Sequence, residues 1–186
     1  MVPSTELPDG CTLRLLHEHD AEELERVVAA NHDHLAQWLP WVAATAAAGV
    51  GARREYVRRA QRQSAANDGF QAAIVAGDAI VGAIGFHHVD WANRSTSIGY
   101  WLAEDRQGRG IMTAAVGALI RHAFDVWHLH RVEIRVAVGN ERSAAIPRRL
   151  GFVEEGILRE AELHADGYKD IIVYSLLRIH PSPDHA

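Results

Sequence analysis

The sequence contains a single cysteine, Cys11, among its 186 residues. An internal disulfide is therefore excluded, and the cysteine content gives no indication of an oxidising compartment. Cys11 stands beside Leu13 in a segment whose apolar pattern is typical of a strand. We therefore expect its thiol to be buried in the core and not to act as a nucleophile.

The chain also lacks a long apolar run and an excess of positive charge. No stretch approaches the roughly 18 residues that a membrane-spanning helix needs, and the N-terminal residues lack the basic and apolar segments of a signal peptide. We therefore expect a cytoplasmic protein with no membrane partner. The formal net charge of −5 argues against direct nucleic-acid binding through the overall field of the protein.

The chain has 12 histidines, whose imidazoles can bind metal ions. Three pairs have the spacing that places both rings on one face of a strand. They are His17 and His19, His32 and His34, and His128 and His130. Each pair falls at a loop or a helix end, and none has a third ligand at a suitable spacing. We therefore expect no metal site.

Length and composition predict one domain. A hydrophobic content of 48% and a charged content of 23% over 186 residues are ordinary for a globular protein with a full core. We place the domain over residues 1–186, with its core at about residues 11–178. Residues 1–10 and the C-terminal residues around Pro181 and Pro183 are expected to be loosely held.

Hydrophobic periodicity predicts strands and helices in a mixed order. The predicted strands are residues 11–16, 70–76, 79–86, 95–102, 131–138, 152–164 and 168–177. Helical patterns occupy residues 21–30, a short piece ending at Leu39, residues 52–66, residues 111 to near 127, and a short helix after Asn140. Asp20 followed by Glu23 matches a capping box at the first helix. The order predicts an α/β or α+β fold with one sheet and helices on both faces.

The segment from Ser95 to Thr113 combines a strand, a short polar loop and the start of a helix. A helix that opens with small residues presents unpaired backbone N–H groups and the positive end of its dipole. Such a helix start is suited to a phosphate or pyrophosphate. Gly108 and Gly110 allow an anion to approach the backbone closely, and arginines in the loop add charge-assisted donors.

Residue patterns alone leave more than one phosphate ligand open. A P-loop needs a lysine at the helix start, and this chain has none there. A dinucleotide fingerprint needs a third glycine where Thr113 stands, although Glu133 lies roughly where the ribose-binding acid of such a fold is expected. A nucleotide-binding oxidoreductase therefore remains an alternative at this point.

A third interpretation rests on a resemblance. The loop Gln107-Gly108-Arg109-Gly110-Ile111-Met112 resembles the Q/R-x-x-G-x-G/A loop of the GNAT acetyltransferase superfamily, which holds the pyrophosphate of coenzyme A. Met112 replaces the last small residue, a departure that the RimJ/RimL branch tolerates. Further segments that resemble this branch are residues 34–41, 98–102, 140–143, 150–152, 155–159 and 167–170. The resemblance covers residues 13–177, nearly the whole chain.

The resemblance implies both a fold and an activity. The fold is a mixed, mostly antiparallel sheet of about seven strands, whose fourth and fifth strands run parallel and splay apart to admit the pantetheine arm. The activity is transfer of an acetyl group from acetyl-CoA to a primary amine by direct attack. The expected acceptor is the N-terminal α-amine of a protein such as a ribosomal protein. A small-molecule amine, an aminoacyl conjugate or an antibiotic is the alternative acceptor, and a non-catalytic coenzyme A-binding module is a further alternative.

The resemblance also implies roles for named residues. A backbone N–H at a bulge in the fourth strand, near Tyr100 and eased by Gly99, would donate to the thioester oxygen. Asn140 matches the residue that bonds the coenzyme arm, and Ser143 matches the proton donor to the thiolate, so that Tyr100 and Ser143 are catalytic. From the residues alone, Asn140 is equally an ordinary N-cap and Ser143 an ordinary first-turn serine. The residues expected to contact the cofactor are Tyr100, Trp101, Leu102, Gln107, Gly108, Arg109, Gly110, Ile111, Met112, Thr113, Asn140 and Ser143.

On the acceptor side, the resemblance implies a cleft lined by Trp38, Trp41, His87 and Ser97. Core packing is the alternative for the two tryptophans. The branch carries a glutamate just before its Ile-Gly-Tyr strand, where this chain has Ser97. The general base is therefore left open among His87, His88, Asp90, Asp170 and a water held by Ser97. Members of the branch are monomers or homodimers, and the long final hairpin offers a pairing edge.

Overall fold

One mixed sheet of eight strands runs through the computed structural model, which describes residues 5–178. The strands are β1 Thr5–Glu6, β2 Cys11–Leu15, β3 Gln71–Ala76, β4 Ala79–Asp90, β5 Ser95–Leu102, β6 Arg131–Ala137, β7 Val153–His164 and β8 Gly167–Leu177. Their order is β1-β2-β3-β4-β5-β6-β8-β7, and every neighbouring pair is antiparallel except β5 and β6. The expected mixed, mostly antiparallel sheet is therefore confirmed.

Helices cover both faces of the sheet. They are α1 Ala21–Ala30, α2 His32–Ala36, α3 Pro40–Thr45, α4 Gly49–Ala65, α5 Ile111–Arg121 and α6 Glu141–Arg149, with α5 continued by a π-helical turn over His122–Val126. Helices α1 and α4 pack on one face, where Leu24 and Val57 meet Val75. Helices α5 and α6 pack on the other face through Leu119 and Ala144. No helix within residues 5–178 is long and apolar enough to cross a membrane.

Two strand predictions need correction, one for the residues before β2 and one for the end of β4. An eighth strand, β1, pairs with the start of β2, so Thr5 and Glu6 are not loosely held as expected. The predictions for residues 1–4 and for the segment around Pro181 and Pro183 fall outside the described residues. Strand β4 continues past its predicted end at residue 86, because a bulge lets the chain rejoin β5 and pair to residue 90.

Cys11 is buried as expected, with 1% of its surface exposed. Burial raises the pKa of its thiol. The thiol therefore stays protonated at neutral pH and is a poor nucleophile.

Asp20 stands at the predicted N-cap position of α1, but its side chain makes no capping bond to the helix, which corrects the capping-box prediction. Its side chain is 3% exposed and accepts two hydrogen bonds from the Arg14 guanidinium and one from the His17 backbone N–H, each at 2.7 Å. Burial alone would raise the pKa of this carboxyl, but the bonds from Arg14 and His17 outweigh burial and hold the pKa below its usual value. Asp20 therefore fastens β2 to the start of α1.

We expect Asp20→Asn to lower the free energy of unfolding by about 2–3 kcal/mol, because a buried ion pair loses one partner. The effect is smaller than for a fully buried pair because the Arg14 side chain is 32% exposed. Since the folded-state pKa of Asp20 is depressed, its contribution is present above the unfolded value of about 3.9 and is lost as the pH falls through the lower folded value. Urea unfolding at neutral and acidic pH measures both effects.

The matched control for this variant is Asp125→Asn, which makes the same change at an exposed position. It should alter stability by less than about 0.5 kcal/mol. An Asp20→Asn protein as stable as the control at pH 7 would contradict the role assigned to the pair.

Candidate functional site

The two parallel strands of the sheet separate within their length. Strands β5 and β6 pair only from Ser95 opposite Arg131 to Ile98 opposite Ile134. Beyond that point β5 runs on to residue 102 and β6 to residue 137 without pairing to each other. The predicted splay of the fourth and fifth strands is confirmed at β5 and β6, and it opens a gap in the middle of the sheet.

Backbone N–H groups of β5 face this gap. The N–H of Ala103 donates to the carbonyl of Val81 on β4 at 2.8 Å, and β4 and β5 pair without interruption from Ile98 to Leu102. Because successive N–H groups point to opposite edges of a strand, those of Tyr100 and Leu102 point away from β4 and into the gap. No residue of β6 is paired with either of them.

The bulge that was expected in this strand lies in its neighbour instead. His87 and His88 of β4 stand opposite the single residue Ser97, so the extra residue belongs to β4. Gly99 has a different purpose from the one predicted, because a Cβ at this position would collide with the imidazole of His87. The missing side chain lets the His87 ring lie over β5.

The loop after β5 has the backbone geometry of an anion site. Gly108 and Gly110 have φ angles of +74° and +78°, and the space that a Cβ would fill at each is open. The N–H groups of Ile111, Met112 and Thr113 at the start of α5 have no acceptor within the described residues. The side chains of Ile111 and Met112 are buried in the core, so these residues present their backbone to the loop.

The two loop arginines share one carboxylate. Arg109 binds Asp9 at 2.9 Å, and Arg106 lies 3.7 Å from the same side chain. Asp9 belongs to the turn between β1 and β2. The shared carboxylate holds both guanidinium groups close to the glycines of the loop.

Gln107 joins the loop to helices on both sides of it. Its side-chain amide donates to His34 of α2 and accepts from Arg142 of α6, both at 2.7 Å. Arg149 of α6 also reaches the loop side of α5, donating to the Thr113 hydroxyl at 3.2 Å. The loop is therefore held by α2 and α6 as well as by its own backbone.

A pair of hydroxyl groups joins β5 to α6. Asn140 caps α6 by accepting the N–H of Ser143 at 3.2 Å. The Ser143 hydroxyl donates to the Tyr100 hydroxyl at 3.2 Å, which in turn donates to the Ser143 carbonyl at 3.2 Å. Burial raises the pKa of Tyr100 to about 12, so its hydroxyl keeps its proton at neutral pH. Both residues were predicted from the sequence, but the contact between their side chains was not.

A continuous cavity of about 1980 Å³ connects the loop, the gap and the face of the sheet that carries α1–α4. The described residues that line it include nine arginines but only three carboxylates, those of Glu6, Asp68 and Glu162. Five of these arginines are paired with carboxylates outside the lining, namely Arg53 with Glu25, Arg62 with Glu55, Arg106 and Arg109 with Asp9, and Arg135 with Glu133. A smaller excess of positive charge therefore remains in the cavity, although the whole chain has a net charge of −5. Such a cavity attracts anionic groups and disfavours a cationic one.

The four residues predicted for an acceptor cleft, Trp38, Trp41, His87 and Ser97, all line this cavity. The Trp41 ring also packs, lying 6.5 Å from the ring of Trp101 and 4.8 Å from the Arg53 guanidinium. The Trp38 ring has the Lys169 ammonium at 5.3 Å. The two tryptophans therefore line the cavity and are also held in place by packing.

The two histidines considered as general bases differ in their surroundings. Burial, together with the charge of Arg135, lowers the pKa of His87, so its imidazole is neutral at pH 7. His88 is 76% exposed and lies 2.6 Å from the carboxylate of Asp68. His87 is therefore enclosed in the cavity wall, whereas the His88 ring faces solvent.

Of the two acids considered, neither lines the cavity. Asp90 accepts hydrogen bonds from Asn93 in the turn after β4, and Asp170 accepts the backbone N–H of Glu160 at 2.8 Å. Neither is placed to reach a ligand there. The carboxylate of β7 that does line the cavity is Glu162, a residue that the sequence analysis missed.

The residues of the dinucleotide interpretation do not come together at the cavity. Glu133, on which the dinucleotide interpretation depended, binds Arg131 at 2.7 Å and does not line the cavity. No group of three or more His, Cys, Asp or Glu side chains that could hold a metal ion occurs in the part of the chain that the structure describes.

Comparison with known proteins gives one family. The family model described as "Acetyltransferase (GNAT) domain" matches residues 11–153. The chain is also 39% identical over 168 residues to a Bacillus subtilis protein provisionally named ribosomal N-acetyltransferase YdaF, a match that covers 90% of this chain and 91% of that protein.

Two solved structures extend the comparison to the whole fold. RimL, named as the ribosomal L7/L12 alpha-N-protein acetyltransferase and solved with coenzyme A, has a TM-score of 0.86 at 27% identity, over 95% of this chain and 97% of that chain. The Microcin C7 self immunity acetyltransferase MccE, solved with acetyl-CoA and AMP, has a TM-score of 0.85 at 28% identity, over 91% of this chain and 93% of that chain.

Proposed function

The chain belongs to the GNAT acetyltransferase family and is an acetyl-CoA-dependent acetyltransferase, and we propose that its acceptor is the N-terminal α-amine of a protein of the ribosomal type. The observation that carries the proposal is the gap between β5 and β6, which the cavity joins to the anion loop and to the arginine-rich face. The names of YdaF and RimL support a ribosomal-protein acceptor. Such an acceptor would place the enzyme in the cytoplasm.

The residues of the loop and the gap fit acetyl-CoA. When bound, acetyl-CoA supplies a thioester carbonyl that an amine attacks directly. The open space at Gly108 and Gly110, next to the free N–H groups of α5, suits a pyrophosphate. Arg109 and the α6 arginines add charge-assisted donors around it. Asn140, whose side-chain N–H groups are not used in capping α6, would bond the coenzyme arm.

The backbone of β5 supplies the electrostatic part of catalysis. The N–H groups of Tyr100 and Leu102 point into the gap and are held there by the pairing of β5 with β4. We assign the Tyr100 N–H to the thioester oxygen as negative charge develops on it. A single preorganised donor of this kind is worth about 10²–10³ in rate.

The lower intrinsic pKa of an α-amine makes it an easier acceptor than an alkyl amine. An amine attacks only in its uncharged form, and neighbouring arginines disfavour the ammonium form of any amine that enters. Removing the proton at pH 7 costs about 1.4 kcal/mol for an α-amine with a pKa near 8, but about 4.6 kcal/mol for an alkyl amine with a pKa near 10.4. The peptide N-terminus is therefore the easier acceptor for this site.

Glu162 is our candidate for the group that removes the amine proton. It is one of three carboxylates among the described residues that line the cavity. Asp68 fastens the turn before β3 to β4, because it accepts the Val89 backbone N–H at 3.0 Å, and Glu6 lies in β1, on the opposite edge of the sheet from the β7–β8 hairpin. We propose that Glu162 takes the proton either directly or through one water molecule.

Ser143 is our candidate for the proton donor to the departing thiolate. Its hydroxyl lies at the start of α6 and is bonded to the Tyr100 hydroxyl. The hydroxyl proton that Ser143 donates to Tyr100 in this structure would turn to the thiolate sulfur, and the Tyr100 hydroxyl would then donate to the Ser143 oxygen until solvent restores the proton of Ser143.

We expect Ser143→Ala to lower kcat by about 100-fold, the low end of the range for a single proton-transfer group, with KM for acetyl-CoA nearly unchanged. Single-turnover rates measured by thiol release separate chemistry from product release. Ser64→Ala, at an exposed position outside the cavity, is the matched control and should behave as the wild type. A Ser143→Ala protein with an unchanged single-turnover rate would remove this residue from the mechanism.

The proposed function is tested in two steps. Calorimetric titration with acetyl-CoA, with NADH as the control, should show tight binding of the first alone. Thiol release is then measured with short peptides that carry a free or a blocked N-terminus, and mass spectrometry locates the acetyl group. Acetylation at the free N-terminus alone supports the proposal.

Three other outcomes would contradict it. Transfer to small amines or aminoacyl nucleotides but not to peptides would favour the small-molecule alternative. The AMP bound in the MccE structure is the reason to include nucleotides in this test. Acetyl-CoA binding without transfer to any amine would indicate a non-catalytic module. Absence of binding would exclude the assignment of the anion loop.

A further inference from the structure

A buried histidine lies next to the cavity in a strand that is otherwise exposed. Of the 12 residues of β7, only the last, His164, is buried. The His164 side chain is 1% exposed, and its Nε2 lies 2.8 Å from a carboxylate oxygen of Glu162. Its other ring nitrogen, Nδ1, is buried and has no hydrogen-bond partner within residues 5–178.

The strand geometry explains why these two side chains meet. Residues two apart in a strand project from the same face, so Glu162 and His164 are neighbours on one side of β7. Because an ionised carboxylate oxygen can only accept a hydrogen bond, the 2.8 Å contact calls for a proton on Nε2 that is donated to Glu162. A buried nitrogen without a partner is a cost in stability. Within residues 5–178, the hydrogen bond that the ring makes is thus the one to Glu162.

The other charged groups near Glu162 are already paired elsewhere. Lys169 of β8 stands opposite Glu162 across the strand pair. Its ammonium donates to the Gln37 carbonyl at 3.0 Å and lies 3.3 Å from Asp166 in the hairpin turn. Within the described residues, His164 is thus the side chain that binds Glu162.

We propose that His164 is a positioning residue, which holds the Glu162 carboxylate by one oxygen so that the other is presented to the cavity. The proposal rests on the proposed function, because it assumes that Glu162 receives the proton of the acceptor amine. A glutamate on an exposed edge strand otherwise populates several rotamers. A hydrogen bond from a rigid, buried ring selects one of them, and correct placement of a reacting group is worth up to about 100-fold in rate.

The kinetic test compares three variants with a peptide that carries a free N-terminus as the acceptor. His164→Ala should lower kcat about 10-fold with KM for acetyl-CoA unchanged. His164→Gln places an amide N–H near the position of Nε2, so it should restore most of the lost rate. Leu163→Ala, 59% exposed on the opposite face of the same strand, is the control and should leave kcat unchanged.

The double variant shows whether His164 acts through Glu162. Adding His164→Ala to Glu162→Gln should cost no further rate, because the carboxylate to be positioned is already gone. A further tenfold loss, or a His164→Ala protein with the kcat of the wild type, would overturn the proposal.

A spectroscopic measurement on the unaltered protein keeps the proposal separate from the proposed function. Long-range ¹H–¹⁵N correlation spectra of histidine-labelled protein should show His164 with its proton on Nε2. A proton on Nδ1 instead would overturn the positioning role, even if acetyl transfer to peptides is confirmed. Conversely, failure of all peptides as acceptors would contradict the proposed function. The spectra would then still show whether the Nε2 proton of His164 is bonded to Glu162, because this bond should disappear in Glu162→Ala.

Discussion

Gly110→Glu should abolish the binding of acetyl-CoA, with a dissociation constant raised at least about 100-fold. The substitution places a carboxylate beside the free N–H groups at the start of α5, in the space that is open at this glycine. A fixed negative charge there both fills the anion site and repels the incoming phosphates. Like-charge contacts cost several kcal/mol, and about 2.7 kcal/mol already raises the dissociation constant 100-fold. Calorimetric titration of the folded variant measures the loss.

Backbone strain must be separated from this charge effect. Gly110 has a φ of +78°, so any side chain there adds strain of about 1 kcal/mol or more. Gly110→Ala carries the strain without the charge and should retain measurable binding. Gly77→Glu places the same residue at a glycine with φ of +59° and open space in the β3–β4 turn, away from the cavity, and should bind as the wild type. Equal binding by Gly110→Glu and the wild type would show that the loop is not the phosphate site.

The parts of the site that depend on local sequence were predictable. Loop and helix chemistry identified Gly108 and Gly110, because positive φ angles at a helix start leave a local signature in glycine spacing. The N-cap of α6 was likewise predictable, since Asn140 and Ser143 are three residues apart and meet through the first turn of one helix.

The parts that depend on distant contacts were not predictable from local rules. Strand β7 contains four glutamates, and alternation alone cannot say which of them reaches the cavity. Only Glu162 does so, because β8 lies between β6 and β7 in the sheet and sets where the end of β7 falls. The Tyr100 hydroxyl meets Ser143 across 43 residues of sequence, a contact that no periodicity encodes.

Asp20 illustrates the opposite error, in which a correct local rule is overridden. An aspartate before a helical pattern is typical of an N-cap. Here the guanidinium of Arg14 takes both carboxylate oxygens at 2.7 Å, since a bidentate charged bond outcompetes a neutral backbone donor. Gly99 is a similar case. It was predicted to ease a bulge in β5, but the bulge lies in β4, and the missing side chain of Gly99 makes room for the His87 ring.

Glu162→Gln should lower kcat at pH 7 by about 10²–10³, the range for loss of a general base, while acetyl-CoA binds as before. The amide has nearly the same size as the carboxylate but cannot accept the amine proton. Single-turnover acetylation of a peptide, measured by mass spectrometry, reports the chemical step. Glu160→Gln, the same change on an exposed residue of the same strand, is the matched control. A Glu162→Gln protein with the single-turnover rate of the control would exclude Glu162 as the base.

The pH dependence of the Glu162→Gln variant also identifies the acceptor. Without a base, the enzyme depends on amine molecules that solvent has already deprotonated, so the rate should rise about tenfold per pH unit below the amine pKa. For a peptide N-terminus this rise should level off near pH 8, whereas for an alkyl amine it should continue towards about pH 10. The positive charge of the cavity lowers the pH at which the rate levels off for both kinds of amine, because the bound ammonium form is disfavoured. The pH at which the variant recovers therefore tests the α-amine proposal independently of which peptide is chosen.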